Sequence, residues 1–252
     1  MEKLSVVIIT YNEEKNIGRC IDSVKDVADE ILILDSYSTD QTVAIAESKG
    51  AIVSQEVFKN FIQKKNKAVE LASYDFVLSL DADEALNPLL SDSISNVKKT
   101  GTARAYRMNR CTNYCGKFIR HGSWYPDAKI RLFDRRTAQW GGTNPHDKIV
   151  LTGNMAVEHL KGDILHYSYH SVSEHVSQNN KLSTLASESL FAKGEKTNLF
   201  NIITHPPWAF FQSYFLRIGF FDGLFGFVIA IQISHMTFLK HLKLYLLLKS
   251  AK

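Results

Sequence analysis

The first hundred residues alternate short apolar runs rich in β-branched residues with stretches whose apolar residues recur at helical spacing. This alternation is typical of βα units that feed a mainly parallel sheet through right-handed crossovers. The predicted strands are Leu4 to Ile9, Glu30 to Leu34, Ile52 to Gln55 and Phe76 to Leu80. The helices predicted between them are Glu14 to Val24, Asp40 to Lys49 and Phe61 to Ala72. The predicted fold class is therefore α/β.

Beyond Pro88 the pattern becomes α+β. A helix is predicted from Pro88 to Lys99, strands from Ala103 to Tyr114 and from Lys129 to Phe133, and helix again from Ser171 to Lys193. From Pro206 the chain is aromatic and aliphatic almost throughout. We predict a catalytic domain over residues 1–200 and a helical, apolar segment over residues 201–252.

Composition narrows the class of protein. With 45% apolar and 22% charged residues, the 252-residue chain has the make-up of a packed globular protein with one large core. The net charge of +4 is mild, and no basic arm is present, which argues against nucleic acid as a partner. The N-terminus lacks the pattern of a secretory signal, so a cytoplasmic location is expected. Cys20, Cys111 and Cys115 are then read as reduced thiols, and Cys111, Cys115 and His121 are a weak zinc pattern.

The apolar C-terminal segment has two interpretations. The uncharged stretch Gly223 to Ser234 is shorter than the roughly 20 residues needed to span a bilayer. His235 to Lys252 sets Lys240, Lys243 and Lys249 among apolar residues, as interfacial helices do. We therefore expect peripheral attachment to the inner face of the cytoplasmic membrane, with a buried helix pair or a homodimer interface as the alternative.

Polar residues follow three of the predicted strands directly. The first strand ends in Thr10-Tyr11-Asn12-Glu13, the second in Asp35 to Asp40 and the fourth in Asp81-Ala82-Asp83-Glu84. Ligands of open α/β sheets bind beyond the carboxyl ends of the parallel strands, so these three tips are expected to line one crevice.

The carboxylates at these tips suggest a phosphate-bound cation. Asp81 and Asp83 are two residues apart after the apolar run Phe76 to Leu80, and a hard divalent cation that bridges phosphates prefers such oxygen ligands. A lone Asp-x-Asp is a weak signal, but its place after a buried strand strengthens it. Asp35 can accept a hydrogen bond from a base or ribose, or it can cap the next helix, although Asp40 is the better cap candidate.

Taken together, the segments Ser5 to Glu13, Ile31 to Asp40 and Leu80 to Glu84 resemble family 2 inverting glycosyltransferases. Trp124-Tyr125-Pro126-Asp127, Arg131-Leu132-Phe133, Pro145-His146-Asp147-Lys148 and Gly219 to Phe227 are similar to the branch that contains lipopolysaccharide core β-1,4-glucosyltransferases. The resemblance implies the GT-A nucleotide-diphospho-sugar transferase fold, a mainly parallel Rossmann-like sheet. It also implies a role in assembly of lipopolysaccharide or another surface polysaccharide of the cell envelope.

The resemblance also implies roles for single residues. Thr10, Tyr11 and Glu13 would surround the uracil and ribose of a UDP-sugar, Asp35 would contact the uracil and Asp81 the ribose. Asp83 would bind Mg²⁺ or Mn²⁺. Lys65 and Asn66 match an element that lies near the donor in relatives, although Lys64 stands where Gln is more usual.

The catalytic base is placed by the same resemblance. An inverting transfer needs a carboxylate that takes the proton of the acceptor hydroxyl. A His-Glu pair is usual at this point, and the chain has His146-Asp147, so Asp147 is predicted as the base with Glu84 and Asp127 as substitutes. Arg131 is predicted to contact either the diphosphate or a nearby carboxylate, and Trp124 and Tyr125 to stack on an acceptor sugar or to fill the core.

The predicted activity is metal-dependent transfer of glucose or a related hexose from a UDP-sugar to a saccharide or lipid-linked acceptor, with inversion. A sugar-phosphate nucleotidyltransferase is a rival, but it would need a glycine-rich, basic loop where this chain has Thr10 to Glu13. The alternative from another class is a catalytically silent, membrane-associated scaffold or carbohydrate-binding protein of the same fold.

Overall fold

The computed structural model describes residues 2–101, 104–143, 146–153 and 155–251. Ala103, predicted to begin a strand, and Pro145 of the predicted base motif lie outside these residues. Contacts within the chain define two compact units. Unit 1 comprises Met1–Arg110 and Asp127–Tyr167, and unit 2 comprises Cys111–Pro126 and Ser168–Lys252. The functional boundary predicted near residue 200 stays a prediction.

Unit 1 contains most of the strands of the protein. They are β1 (Leu4–Thr10), β2 (Glu30–Asp35), β3 (Ile52–Gln55), β4 (Phe76–Asp81), β5 (Glu84–Leu86), β6 (Ala105–Tyr114), β8 (Ala128–Asp134), β9 (Ala138–Thr143), β10 (His146–Leu151) and β11 (Val157–Tyr169). The short β7 (Lys117–Phe118) belongs to unit 2, and β6 and β11 continue from unit 1 into it. Four helices complete unit 1: α1 (Ile17–Val24), α2 (Thr42–Ser48), α3 (Phe61–Leu71) and α4 (Pro88–Thr100).

The main sheet has the strand order β3-β2-β1-β4-β8-β6-β11-β5. The first four strands are parallel, whereas β8 is antiparallel to β4 and β5 is antiparallel to β11. Sequence order reverses between β1 and β4, and ligands of such sheets bind at that point, beyond the carboxyl ends of the strands. Strands β9 and β10 form a separate antiparallel hairpin.

Burial on both faces explains why β1 is apolar along its whole length. Val6 and Ile8 point into one core, which includes Ile17 and Ile21 of α1 and Leu90 of α4. The alternate residues Val7 and Ile9 point into a second core, with Ala68 and Val69 of α3 and Trp140 of β9. Parallel strands buried on both faces show such continuous apolar runs.

The predicted βα units are confirmed, with shifts at the ends of elements. Strands β1, β2 and β4 each run one residue further than predicted and so include Thr10, Asp35 and Asp81. Helix α1 begins at Ile17 rather than Glu14 because residues 14–16 form turns before it. Strands β5, β9, β10 and β11 were not predicted. Strand β5 has only three residues, and Gly or His, Lys and Asp interrupt the apolar pattern of β9, β10 and β11.

Unit 2 is mainly helical. Its helices are α5 (Val172–Ala192), α6 (Leu199–Phe211) and α7 (Leu224–Ser250), with a π-helical turn Gln212–Leu216 and 3₁₀ turns Gly122–Trp124 and Gly219–Asp222. Helix α7 packs against both α5 and α6. Ser171 caps α5 in a capping box with Glu174. Helix α5 matches its prediction closely, whereas α7 is one continuous helix that begins eleven residues before His235.

By length and composition alone, α7 is a candidate to cross a membrane, the one such helix among the residues that the structure describes.

Two glycines determine the packing at the start of α7. A side chain at Gly226 would collide with the carbonyl of Gly219, so the 3₁₀ turn can approach the first turn of α7 because residue 226 is glycine, while a side chain at Gly219 would collide with the carbonyl of Ser213. The buried carboxylate of Asp222 accepts hydrogen bonds from the backbone N–H groups of Arg120 and His121 at 3.0 and 2.8 Å. These contacts explain the segment Gly219 to Phe227 in structural terms.

An aromatic cluster lies within unit 2. The Tyr114 ring contacts the rings of Trp124, Tyr169, His175 and Phe225, and Trp124 stacks on Tyr169 with ring centroids 5.3 Å apart. Trp124 is therefore engaged in packing, which favours the second of the two roles predicted for it. A ring nitrogen of His175 lies 3.1 Å from the Tyr114 hydroxyl.

Acidification is expected to destabilise unit 2. Burial lowers the pKa of His175 from 6.5 to about 4, and burial likewise lowers that of His241 to about 4. Between pH 6.5 and pH 4 these histidines bind a proton in the unfolded chain but remain neutral in the folded chain. The free energy of unfolding therefore decreases as the pH falls through this range. From pH 7 to 5 the loss is about 2 kcal/mol for the almost fully buried His175, and it is smaller for His241, which is more exposed. Thermal melts at the two pH values measure it.

The matched variant is His175→Gln, which keeps a polar group beside Tyr114 but cannot titrate. Its melting temperature should change less between pH 7 and pH 5 than that of the unmodified protein. Equal changes in the two proteins would contradict the role given to His175.

Candidate active site

The tips of β1 and β2 are joined by side-chain to backbone hydrogen bonds. The N–H of Asn12 donates to the Ser38 hydroxyl at 2.8 Å, and the N–H of Thr39 donates to the Asn12 side-chain oxygen at 2.8 Å. Asn12 and Tyr37 both adopt left-handed backbone conformations, with φ of 53° and 59°. The Tyr11 and Tyr37 side chains are left exposed. The two loops thus form one surface with two aromatic rings on it.

Asp35 lies at the base of this surface and is fully buried. Its carboxylate accepts hydrogen bonds from the backbone N–H of Ser38 at 2.8 Å and from the Gln55 amide at 3.1 Å. Asp35 therefore shapes the loop after β2, while Asp40 accepts from the N–H of Thr42 at the start of α2. The two acids have different roles, as predicted.

Lys64 connects the same two strands. Its ammonium donates to the Thr10 carbonyl at 2.6 Å and to the Ser36 hydroxyl, and burial lowers its pKa to about 8. The Thr10 hydroxyl is buried and has no hydrogen-bond partner among the described residues. Lys64 thus connects the ends of β1 and β2. The sequence showed only that Lys replaces the more usual Gln at this position and did not reveal this structural function.

Asp81 lies across β1 from Asp35. In the sheet register Asp35 pairs with Thr10 and Asp81 with Ile9, so the two carboxylates follow neighbouring strands on either side of the β1 tip. The Asp81 carboxylate contacts Lys65 at 3.1 Å and Arg131 at 3.2 Å. Burial alone would raise the pKa of Asp81, but these two cations hold it well below its usual range.

Arg131 is buried between carboxylates. Its guanidinium lies 2.9 Å from Glu84 and 3.2 Å from Asp81, and these charges raise its pKa although burial opposes them. Glu84 also accepts the backbone N–H of Asp81 at 3.0 Å. Of the two partners predicted for Arg131, the structure shows the carboxylates. Two of its nitrogens, Nε and Nη1, are buried without a hydrogen-bond partner in the described part of the chain.

Lys65 joins Asp81 to Asp147. Its ammonium lies 2.8 Å from Asp147 and 4.3 Å above the centre of the Trp140 ring. Asp147 stands on β10, opposite Gly142 of β9, and its side chain is mostly buried. Asn66 holds the hairpin in place, because its amide exchanges two 2.9 Å hydrogen bonds with the backbone of Trp140.

Asp83 contacts a histidine, whereas Asp81 contacts a lysine and an arginine. Its carboxylate lies 3.1 Å from Nε2 of His166 on β11, and its backbone carbonyl accepts the N–H of Tyr167 at 2.9 Å. The other ring nitrogen of His166 is buried with no partner among residues 2–101, 104–143, 146–153 and 155–251. An imidazole and a carboxylate at this distance suit a divalent transition metal such as Mn²⁺.

The two substitute bases, Glu84 and Asp127, are also paired with cations. Glu84 is buried, with both carboxylate oxygens engaged. Asp127 forms a two-point contact with Arg110 at 3.1 and 2.9 Å and a further contact with Lys129. Glu13, predicted at the nucleotide, accepts from the Asn16 amide at 2.8 Å, while its N–H donates to Thr42.

Sequence reasoning missed His166 and Trp140. His166 follows the apolar pair Ile164-Leu165 in β11 and lies opposite Glu84 in the sheet. A polar residue that ends an apolar run is the signal that identified Asp35 and Asp81, and it applies here too. Nothing local marks Trp140, whose role depends on the packing of the β9–β10 hairpin on α3.

Comparison with known proteins agrees with this geometry. The family model described as "Glycosyl transferase family 2" matches residues 5–159, more than half of the chain. An uncharacterized glycosyltransferase of Rickettsia typhi (strain ATCC VR-144 / Wilmington) is 33% identical over 97% of this chain and 87% of its own length. The lipopolysaccharide core biosynthesis glycosyltransferase LpsC of Rhizobium meliloti (strain 1021) is 28% identical over 96% and 92%.

Among solved structures, the chain is similar to glucosyl-3-phosphoglycerate synthase from Mycobacterium tuberculosis, in complex with Mn²⁺, UDP and glucosyl-3-phosphoglycerate. The identity is 26% over 44% of each chain, with a TM-score of 0.38.

An α/β sheet with acidic strand tips at its switch point, matched by this family model, defines a glycosyltransferase of the GT-A fold. The chain belongs to glycosyl transferase family 2. It is a glycosyltransferase, and the resemblance described from its motifs is confirmed.

Proposed function

We propose that the protein transfers a hexose, such as glucose, from a UDP-sugar to a hydroxyl of a saccharide or lipid-linked acceptor, with inversion and with Mg²⁺ or Mn²⁺. One observation carries this proposal. Asp35, Asp81 and Asp83 follow β2 and β4 on either side of the β1 tip, and Lys65 connects Asp81 to Asp147 through contacts of 3.1 and 2.8 Å. These contacts support a donor site and a base that lie together within unit 1.

The donor half of the site is built by three strand tips. The exposed Tyr11 ring offers a stacking face for a nucleoside, next to the buried Thr10 at the end of β1. Asp35 fixes the loop that carries Tyr37, and Asp81 supplies a carboxylate for ribose hydroxyl groups. Three further residues support the donor half through the contacts described above. Glu13 positions the loop after β1, Asn66 positions the β9–β10 hairpin, and Arg131 positions the carboxylates of Asp81 and Glu84.

Asp83 and His166 are the residues that would hold the cation. They supply one oxygen and one nitrogen ligand, and a diphosphate would complete the coordination. A bound divalent cation neutralises charge that develops on a departing diphosphate. Mn²⁺ accepts imidazole more readily than Mg²⁺ does, so the His166 nitrogen favours Mn²⁺.

Asp147 is proposed to accept the proton of the acceptor hydroxyl. Lys65 fixes the position of the Asp147 carboxylate, and the two-point contact of Asn66 with Trp140 fixes the hairpin that carries it. With one base and a leaving diphosphate on opposite sides of the anomeric carbon, a single displacement inverts the configuration. No covalent intermediate on the enzyme is required.

The similarity to LpsC over nearly the whole chain supports a role in lipopolysaccharide or surface-polysaccharide assembly. Acceptors in such assembly are lipid-linked, which is consistent with the exposed apolar residues of unit 2. We propose that the enzyme works as a peripheral protein at the inner face of the cytoplasmic membrane.

The test is a set of thermal-shift and UDP-release measurements on the purified protein with UDP-glucose, UDP-galactose and UDP-N-acetylglucosamine. UDP with Mn²⁺ should stabilise the fold by about 2.7 kcal/mol at a hundredfold excess over its dissociation constant, a rise of several degrees. EDTA should abolish the rise. So should Asp83→Asn, which removes a charge at the cation site.

The matched control is Asp92→Asn, the same chemical change on the exposed surface of α4. It should behave as the unmodified protein. A normal shift in EDTA and in Asp83→Asn would remove the metal from the proposal. If no UDP-sugar shifts the melting temperature or releases UDP, the silent carbohydrate-binding scaffold becomes the better description.

A further inference from the structure

Unit 2 contains a stretch without formal charge. Residues 197–216 include no Asp, Glu, Lys or Arg, and Lys196 and Arg217 stand at the two ends. The stretch forms α6 and the π-helical turn after it. Its exposed apolar face, called here the shelf, consists of Phe200, Ile203, Trp208, Phe211 and Phe215. We infer that the shelf is a docking surface for a bilayer that contains anionic lipid.

The shelf is one continuous face. At 3.6 residues per turn, Phe200, Ile203, Trp208 and Phe211 fall within an arc of about 140° on α6. Phe200 and Ile203 are 70% and 69% exposed and Trp208 is 57% exposed. The Phe211 ring contacts those of Trp208 and Phe215 at 5.9 and 5.3 Å, which continues the face beyond α6. The opposite side of α6, with Ile202 and Pro206, is buried, and α6 packs against α7.

Charge favours lipid over a second copy of the chain. One end of the shelf has Lys193 and Lys196 with Glu195, and the other end has Arg217. Asp222 does not offset Arg217 at the surface, because it is buried and accepts two backbone N–H groups. Two copies paired through the shelf, parallel or antiparallel, would bring basic ends together. Anionic headgroups instead complement both ends.

The backbone places the shelf at the membrane surface rather than inside the hydrocarbon. Pro206 and Pro207 lie within α6 and have no N–H to donate, so the carbonyls of Ile202 and Ile203 lose their usual helical partners. Such carbonyls are costly in hydrocarbon but remain hydrated at the interface. Trp208 is also typical of that depth.

This inference deepens the proposed function, on which it rests for its purpose. An enzyme whose acceptor is attached to lipid gains by residing where the acceptor is. The residues that this surface requires all lie in unit 2, so binding to vesicles can be measured without donor or acceptor.

The test is co-sedimentation of the full-length protein with vesicles of phosphatidylcholine alone or mixed with phosphatidylglycerol. The protein should bind the mixed vesicles more tightly. The double variant Phe200→Glu, Ile203→Glu should bind them at least about tenfold more weakly, since it removes two apolar contacts and adds two repelled charges. Lys196→Gln with Arg217→Gln should lose the preference for phosphatidylglycerol.

The matched control is Leu89→Glu, an exposed leucine of α4 in unit 1 that should bind as the unmodified protein does. Thermal melts check folding, and Phe200→Ser with Ile203→Ser replaces the glutamate pair if that pair unfolds. Vesicle binding that is unchanged in the shelf variants overturns the inference. So does light scattering that shows a dimer which the shelf variants dissociate while vesicle binding persists.

UDP release measured on the same samples separates the two proposals. Loss of vesicle binding in the shelf variants with normal UDP release supports the docking surface. An absence of UDP release from every sample would count against the proposed function alone.

Discussion

Replacing Asp147 with Asn should lower the rate of transfer by about 10²- to 10⁴-fold, the usual contribution of a general base. The amide cannot take the proton of the acceptor hydroxyl, yet it is nearly the same size and can still face Lys65, so the hairpin should keep its place. The affinity for UDP with Mn²⁺ should stay close to that of the unmodified enzyme. Steady-state kinetics and the UDP thermal shift measure the two quantities separately.

The matched control is Asp127→Asn, the same change at one of the two substitute bases. Its carboxylate is held by Arg110 and Lys129, and its loss should affect kcat far less. The opposite ranking of these two variants would move the base from Asp147 to Asp127. A large loss of UDP affinity in Asp147→Asn would instead assign the residue to donor binding.

Replacing Arg131 with Met should destabilise the protein by about 3–5 kcal/mol. The change leaves the carboxylates of Glu84 and Asp81 without the guanidinium that contacts both, and Glu84 is almost fully buried. Urea denaturation followed by circular dichroism gives the free energy of unfolding. The control is Arg104→Met, whose guanidinium is half-exposed and whose loss should cost at most about 1 kcal/mol.

A second substitution tests the physical cause. If the penalty in Arg131→Met comes from an uncompensated carboxylate, adding Glu84→Gln should recover part of it, so the double variant is more stable than the two single changes added together. Strict additivity would show that the loss comes from packing against Trp140, 5.1 Å from the guanidinium, rather than from charge.

The parallel part of the fold could be predicted because its signals are local. Strands β1, β2 and β4 are apolar runs that end in polar residues, and the sheet register then places Thr10, Asp35 and Asp81 at the ends of three neighbouring strands. The sequence also separated Asp40, whose carboxylate accepts the N–H of the first residue of α2, from Asp35, whose carboxylate accepts the N–H of Ser38 in the preceding loop.

The remaining parts of the site depend on pairing between distant segments. The contact of Asp83 with His166 needs β11 to lie beside β5, and the contact of Lys65 with Asp147 needs the β9–β10 hairpin to pack near α3. Such pairings leave no periodic pattern in the sequence.

The sequence predicts a separate interfacial segment within α7, because Lys240, Lys243 and Lys249 lie among apolar residues. In the structure α7 is continuous, and Lys243 donates hydrogen bonds to Asn180 and Ser183 of α5.

The single ammonium of Lys65 contacts two carboxylates, Asp81, which we propose lies on the nucleotide side, and Asp147, which we propose as the base on the acceptor side. Any ligand that draws Lys65 toward Asp81 must alter the electrostatic environment of Asp147, and the reverse holds by reciprocity. Ligand binding beside Asp81 is thus energetically linked to the charge state and position of the Asp147 carboxylate. In the proposed mechanism, this linkage restrains Asp147 until the donor has bound.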